Sequence, residues 1–163
     1  MRNLIYFFEF LIIIILFTIF RIIGYKAASN LGFLIGKIFG PIFRSKKIII
    51  KNIKNFKSSI DDKGVDEIIS NMWGNYGRIL AEYPFIPSFR KKKLEKYLDI
   101  EGIENLKKIK DSEKPSVFVS GHFNNFELMA MLIEREGIDL AAVYRPLNNK
   151  FLNLIMEYLR EKY

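Results

Sequence analysis

The chain has no cysteine, a single histidine and only five prolines. Without thiols there is no disulfide, no thiolate metal site and no cysteine nucleophile. One imidazole is too few for a zinc site built on several histidines, and no metal or other cofactor is expected. Acidic residues are also scarce: 18 Asp and Glu stand against 26 Lys and Arg, for a formal charge of +8. An excess of that sign suits an anionic partner, whether nucleic acid, an acidic membrane surface or an acidic protein. No RNA- or DNA-binding signature accompanies it, so nucleic acid is the weakest of the three.

What the chain has in abundance is apolar surface. Half of its 163 residues are hydrophobic and fifteen are phenylalanine, which argues against disorder. The length suits one domain with its own core. From Leu4 to Phe20 the sequence is almost wholly apolar, interrupted by Glu9 and Thr18. Extended to Ile23, the run reaches the roughly 20 residues that cross a bilayer's hydrocarbon core. Two readings fit: an uncleaved transmembrane anchor, or a secretory signal peptide with Ala27-Ala28-Ser29 as a weak cleavage site. Arg21 and Lys26 follow the run, and positive charge there opposes export of what comes next. The anchor is therefore preferred: a single pass through the inner (cytoplasmic) membrane, with the remainder on the cytoplasmic face. Glu9 lies near enough to the start to sit at the level of the headgroups.

Downstream, Gly24, Ala28, Gly32, Gly36 and Gly40 recur every four residues. On a helix they form a stripe that lets another backbone approach closely, for a helix packed on the anchor or lying in the interface. Glycine's low helix propensity equally allows an irregular apolar segment ended by Pro41. Between Lys37 and Lys57 lie seven cations and no acid: Lys37, Arg44, Lys46, Lys47, Lys51, Lys54 and Lys57. Ile49, Ile53 and Phe56 share one helical face among them, the pattern of a basic amphipathic helix that binds headgroups. A second cluster, Arg90-Lys91-Lys92-Lys93, follows Pro84 and Pro87 and reads as a loop.

Ile68, Ile69, Met72, Trp73, Tyr76, Ile79, Leu80 and Tyr83 repeat at three and four, predicting an amphipathic helix between Asp61 and Tyr83. Its aromatics read as core. Ser116 to Ser120 and Asp139 to Tyr144 read as short strands, with Tyr97 to Glu101 as a further one. Helices are predicted from Asn125 to Glu136 and from Asn149 to Lys162. Strand, helix, strand, helix predicts an α/β fold with a mostly parallel sheet. Two or three strands cannot cover such a sheet on both faces, and the chain stops in mid-helix. The expectation is an N-terminal transmembrane helix followed by an incomplete αβ domain. The divisions are an anchor over 1–25, a basic membrane-interface segment over 26–60, and a partial catalytic domain over 61–163.

The chemistry is expected in Gly121-His122-Phe123-Asn124-Asn125-Phe126-Glu127. On a continuous helix, residues five apart point about 140° from one another, so His122 and Glu127 meet only if His122 lies in the preceding loop. Asn124 suits the N-cap and would put Glu127 at the third helical position. From there its carboxylate can orient the imidazole as a general base for a hydroxyl proton. The same Asn-x-x-Glu spacing also describes an ordinary capping box, in which Glu127 merely satisfies a backbone amide.

From about Arg21 onward the chain resembles the late acyltransferases of lipid A biosynthesis, the lauroyl and myristoyl transferases. Three stretches carry the likeness: Lys46-Lys47-Ile48-Ile49-Ile50-Lys51-Asn52-Ile53; Gly121 to Leu128; and Val143-Tyr144-Arg145-Pro146-Leu147-Asn148-Asn149 with Arg160 beyond it. Where the family often has Gly-Asn-Trp, this chain has Asn124-Asn125-Phe126, keeping the histidine and the carboxylate. Family members are longer and carry a later aspartate-bearing motif, so an incomplete chain is expected to be inactive alone. The resemblance implies acyl transfer from acyl-acyl carrier protein to a hydroxyl of a lipid A precursor, without an acyl-enzyme. His122 would be the base and Glu127 its orienting partner. Arg160 and Arg145 would bind an oxyanion or a phosphate, and Asn125 joins them as a substrate-binding candidate. The alternatives are a phospholipid or glycolipid acyltransferase of the same chemistry, or an inactive membrane-anchored lipid-binding fragment.

Overall fold

Nothing between Leu4 and Ile23 breaks a helix, and the run folds as one: α1 spans Arg2–Ile23 in the computed structural model, which describes residues 2–112 and 114–160. Its 22 residues are long and apolar enough to cross a membrane by length and composition. Phe20 is its only buried residue, whereas Leu4, Ile5, Phe8, Ile12 and Ile15 are each more than half exposed. Gly24 ends it at φ 82°, a left-handed conformation that glycine adopts without steric cost. The chain then divides into two compact units: Ile19–Tyr83, and Met1–Thr18 with Pro84–Tyr163.

In the first unit, α2 (Tyr25–Phe39), a 3-10 turn (Gly40–Ile42), α3 (Lys46–Phe56) and α4 (Asp62–Glu82) follow in order. The stripe of small residues forms a regular helix, and its partner is α4. A Cβ at Gly36 or at Gly77 would strike the opposing backbone, and one at Gly40 would strike the Trp73 ring. Close backbone approach is what these glycines permit. Deeper in the seam, buried Ser29 donates from Oγ to Glu82 Oε1 at 2.7 Å. Asp61 caps α4, accepting from the Gly64 amide at 2.9 Å. α3 lays Ile49 against Val65 and Ile69 of α4, with Met72 and Trp73 packed around them. Lys46 and Lys54 reach Asp66 and Asp62 at 2.7 and 3.0 Å; these pairs are exposed and add little stability.

The second unit holds α5 (Ile86–Arg90), α6 (Ile103–Ser112), α7 (Glu127–Arg135) and α8 (Lys150–Arg160). α5 packs on α7 through fully buried Ile86, Phe89 and Met131 and nearly buried Ile133. The arginines beside that core are paired. Arg135 donates to both carboxylate oxygens of Glu95 at 2.7 and 3.1 Å, and Arg90 to Glu134 at 2.5 Å. The Arg135 hydrogen bonds hold the Glu95 carboxyl below the usual carboxylate range. Asn149 caps α8, its Oδ1 accepting from the amides of Phe151 and Leu152. Its Nδ2 donates to the Tyr6 carbonyl and to Glu9 Oε2, both at 2.9 Å. Glu9 therefore has a polar partner, and the Phe151 ring meets Phe7 edge-on and Phe10 at a tilt nearby.

The expected α/β fold with a parallel sheet is not what forms. Among the described residues there is no strand and no sheet; the regular structure is helical. Residues 116–120 and 139–144 are irregular, with no ladder between them, and Glu95–Tyr97 closes a 3-10 turn where a third strand was expected to begin. A parallel strand is stable only when it is hydrogen-bonded along its edges and covered on its faces. Val117, Val119 and Val143 are instead at least 90% exposed. Alternation of side chains signals extended backbone but supplies no neighbour for it. The last predicted helix is α8; Glu161 and Lys162, which it was expected to include, lie outside the described residues.

Candidate active site

The histidine segment is irregular until a tight turn delivers it into α7. Asn124 sits at φ 46°, in the left-handed region that asparagine tolerates better than most residues, and the Phe126 amide donates to its carbonyl at 3.1 Å. α7 consequently starts at Glu127, with Phe126 at the N-cap and no side-chain cap. Among the described residues the Asn124–Glu127 capping box is not formed. Glu127 is the first helical residue, not the third, and its carboxylate is turned inward.

The Glu127 side chain is 4% exposed. It accepts from Arg160 Nη2 at 2.5 Å and from Nε at 3.3 Å, a two-pronged pair between the start of α7 and the last turn of α8. The helix N-terminus also favours negative charge there. Arg160 lies over the Tyr144 ring, 5.1 Å from its centroid. The Tyr144 hydroxyl donates to Glu157 at 2.8 Å, Asn153 Nδ2 donates to the same oxygen at 2.9 Å, and Asn153 Oδ1 accepts from the Leu147 amide at 2.9 Å. Asn153, Glu157 and Arg160 thus share one face of α8; the first two hold Leu147 and Tyr144 by hydrogen bonds, and Arg160 covers the Tyr144 ring.

Of the residues anticipated from the sequence, Glu127 and Arg160 are brought into direct contact. His122 is exposed on its loop, its ring against Phe126 with centroids 4.4 Å apart and planes at 56°. Among the described residues it makes no hydrogen bond to Glu127. Asn125 is half-buried in the turn, and Arg145 is exposed on the segment that α8 secures, with no ion pair among the described residues. Tyr144, Asn153 and Glu157 went unnoticed. Their signal was present: polar residues spaced at four and three on an otherwise apolar helix mark a face that holds something other than core. Among the described residues no three His, Asp or Glu side chains are placed to hold a metal ion.

The described site thus holds an exposed imidazole on the loop before α7 and a buried carboxylate–guanidinium pair at the start of that helix. The family described as bacterial lipid A biosynthesis acyltransferase matches the chain across residues 1–163, and the chain belongs to that family. It is therefore a member of a group of acyltransferases, which take an acyl donor and a lipid acceptor. No curated protein and no solved structure matches the chain.

Proposed function

We propose that the chain transfers a fatty acyl group from acyl-acyl carrier protein to a hydroxyl of a lipid A precursor, with His122 as general base and Glu127 as its orienting partner. The observation that carries the reading is the burial of Glu127, clasped by Arg160, at the helix start that immediately follows the His122 loop. The guanidinium of Arg160 engages both oxygens of that carboxylate. When substrate enters, the imidazole leaves the Phe126 ring and turns toward Glu127; catalytic hydrogen bonds commonly tighten only in the loaded site. Neutral His122 takes the acceptor hydroxyl's proton, and the oxygen attacks the thioester carbonyl carbon. The tetrahedral oxyanion collapses with cleavage of the C–S bond, and the departing thiolate takes the proton from the imidazolium. Arg160 positions Glu127. Arg145 and Asn125 contact the anionic headgroup or the oxyanion.

The remaining assignments follow the same reading. Residues 1–25 attach the chain to the inner membrane through their apolar surface, 26–60 lie at its cytoplasmic face, and 61–163 carry the chemistry. Because Asn149 and Phe151 contact residues 6–10, this attachment keeps the start of α1 on the same face as α8 rather than across the bilayer. The basic surface serves two anionic partners, a phosphorylated glycolipid and an acidic carrier protein. The test is His122→Ala in the enzyme assayed with acyl-acyl carrier protein and a lipid A precursor. Turnover falls by about 100-fold or more while membrane association is unchanged; parental turnover would remove His122 from the mechanism. Mass spectrometry of the lipid products identifies the acceptor, separating lipid A precursors from phospholipids.

A further inference from the structure

The unit Ile19–Tyr83 contains a groove that none of the catalytic candidates lines. It opens between α3 and α4 with a volume of about 580 Å³, within the usual range of small-molecule sites. Ile53 and Phe56 form one wall, and Ile68 and Met72 the other. Phe56 is 94% exposed, so this apolar lining lies open. The charged residues in the lining are Arg44 and Lys57, one before α3 and one after it, and no acidic residue joins them. Their neighbours differ: Lys46 and Lys54 are tied to Asp66 and Asp62 on α4, whereas among the described residues no ion pair engages Arg44 or Lys57. Just before Arg44, Ile42 and Phe43 are about four-fifths exposed, which extends the apolar surface beside the cation.

An open apolar trough flanked by unpaired cations matches a ligand with an apolar tail and an anionic head. We propose that this groove holds one acyl chain of an anionic bilayer phospholipid, with its phosphate at Arg44 or Lys57. The site is separate from the proposed chemistry and does not depend on His122. Burying one chain covers Phe56 and Ile68, and the phosphate supplies the charge that the groove lacks. A zwitterionic lipid of the same chain length fills the trough but brings a net charge of zero.

The chain's only tryptophan, Trp73, lines the groove and reports on it directly. The full chain in neutral detergent is titrated with phosphatidylglycerol or phosphatidylcholine carrying brominated acyl chains, and Trp73 fluorescence is followed. Brominated phosphatidylglycerol is expected to quench at lower concentration. In Arg44→Gln/Lys57→Gln its half-quenching concentration rises about fivefold for each cation removed. Lys47→Gln/Lys51→Gln removes the same charge from residues outside the groove and retains the parental response. His122→Ala also retains it, so failure of the catalytic reading and failure of this one are distinguishable. Far-UV circular dichroism confirms that each variant is folded; the substituted side chains are exposed. Equal quenching by the two lipids, or equal weakening in the two double variants, overturns the proposal. So does displacement of the quencher by a fatty acyl pantetheine thioester but not by unbrominated phosphatidylglycerol, which would make the groove an acyl-donor site.

Discussion

The two units of this protein hold themselves together by different means. In Ile19–Tyr83 the backbones of α2 and α4 touch across facing glycines, and the helices are placed by regular packing. In the unit carrying the proposed chemistry, residues 116–123 and 138–148 are irregular, and α8 holds the second stretch through hydrogen bonds to Asn153 and Glu157 and the Arg160 contact with the Tyr144 ring. Packed backbones leave few alternatives to the seam. Segments held by single polar side chains can be released one contact at a time, which suits a site that must admit two substrates. The comparison can be tested at its strongest points.

Gly77→Leu should break the first region outright. The new side chain enters the space held by the Gly32 carbonyl and Gly36, and overpacking of this kind costs about 3 kcal/mol or more when backbone must move. Thermal unfolding in detergent measures it; a parental melting temperature would show that α2 and α4 are not in contact. Arg160→Gln acts on the second region. It leaves the buried Glu127 carboxylate without its ion pair, a loss of about 2–3 kcal/mol, at the low end for buried pairs because Arg160 itself is partly exposed. Activity should fall with stability, and Arg160→Lys should recover part of the stability but not the two-pronged geometry. Equal melting of Arg160→Gln and the parent would refute the pairing.

Smaller effects sharpen the contrast. Ser29→Ala removes a buried donor to Glu82 and should cost about 1 kcal/mol without altering turnover, since it belongs to the packed unit. Weakest is the acid response of the Glu95–Arg135 contact. The folded carboxyl is held below its ordinary range, so its contribution is complete above that range and is lost as pH falls through the lowered value. Arg135→Gln should flatten that part of the acid-unfolding curve, and an unchanged curve would assign the acid response to other groups.

Much of the helical architecture was legible because burial imposes a period. α4 follows from Ile69, Met72, Trp73 and Tyr76 and, like α7, lies within a residue or two of the observed bounds, while α8 starts one residue after its expected start. The glycine repeat allowed either a closely packed helix or an irregular segment and did not give the partner, because Gly74 and Gly77 lie at their own spacing on α4. The sheet was misread for a related reason: Val117 and Val119 alternate as strand residues do, yet pairing depends on a neighbour that alternation cannot specify. At the site, His122 and Glu127 stood out by proximity in sequence. The Glu127–Arg160 contact joins residues 33 apart on two helices, and no local pattern encodes such a pair. Asn124 was read as a cap; its left-handed backbone moved the helix start to Glu127.

Asn149 closes a circuit of another kind. Its amide joins Glu9, 140 residues earlier, to the cap of α8. A ribosome adding about 5–20 residues per second needs roughly 7–30 s to cover that interval. α1 is complete at Ile23, long before its eventual partner exists. Whatever receives the first helix during synthesis therefore acts before α8 can, and the Asn149 contact is made to a helix already committed to its surroundings.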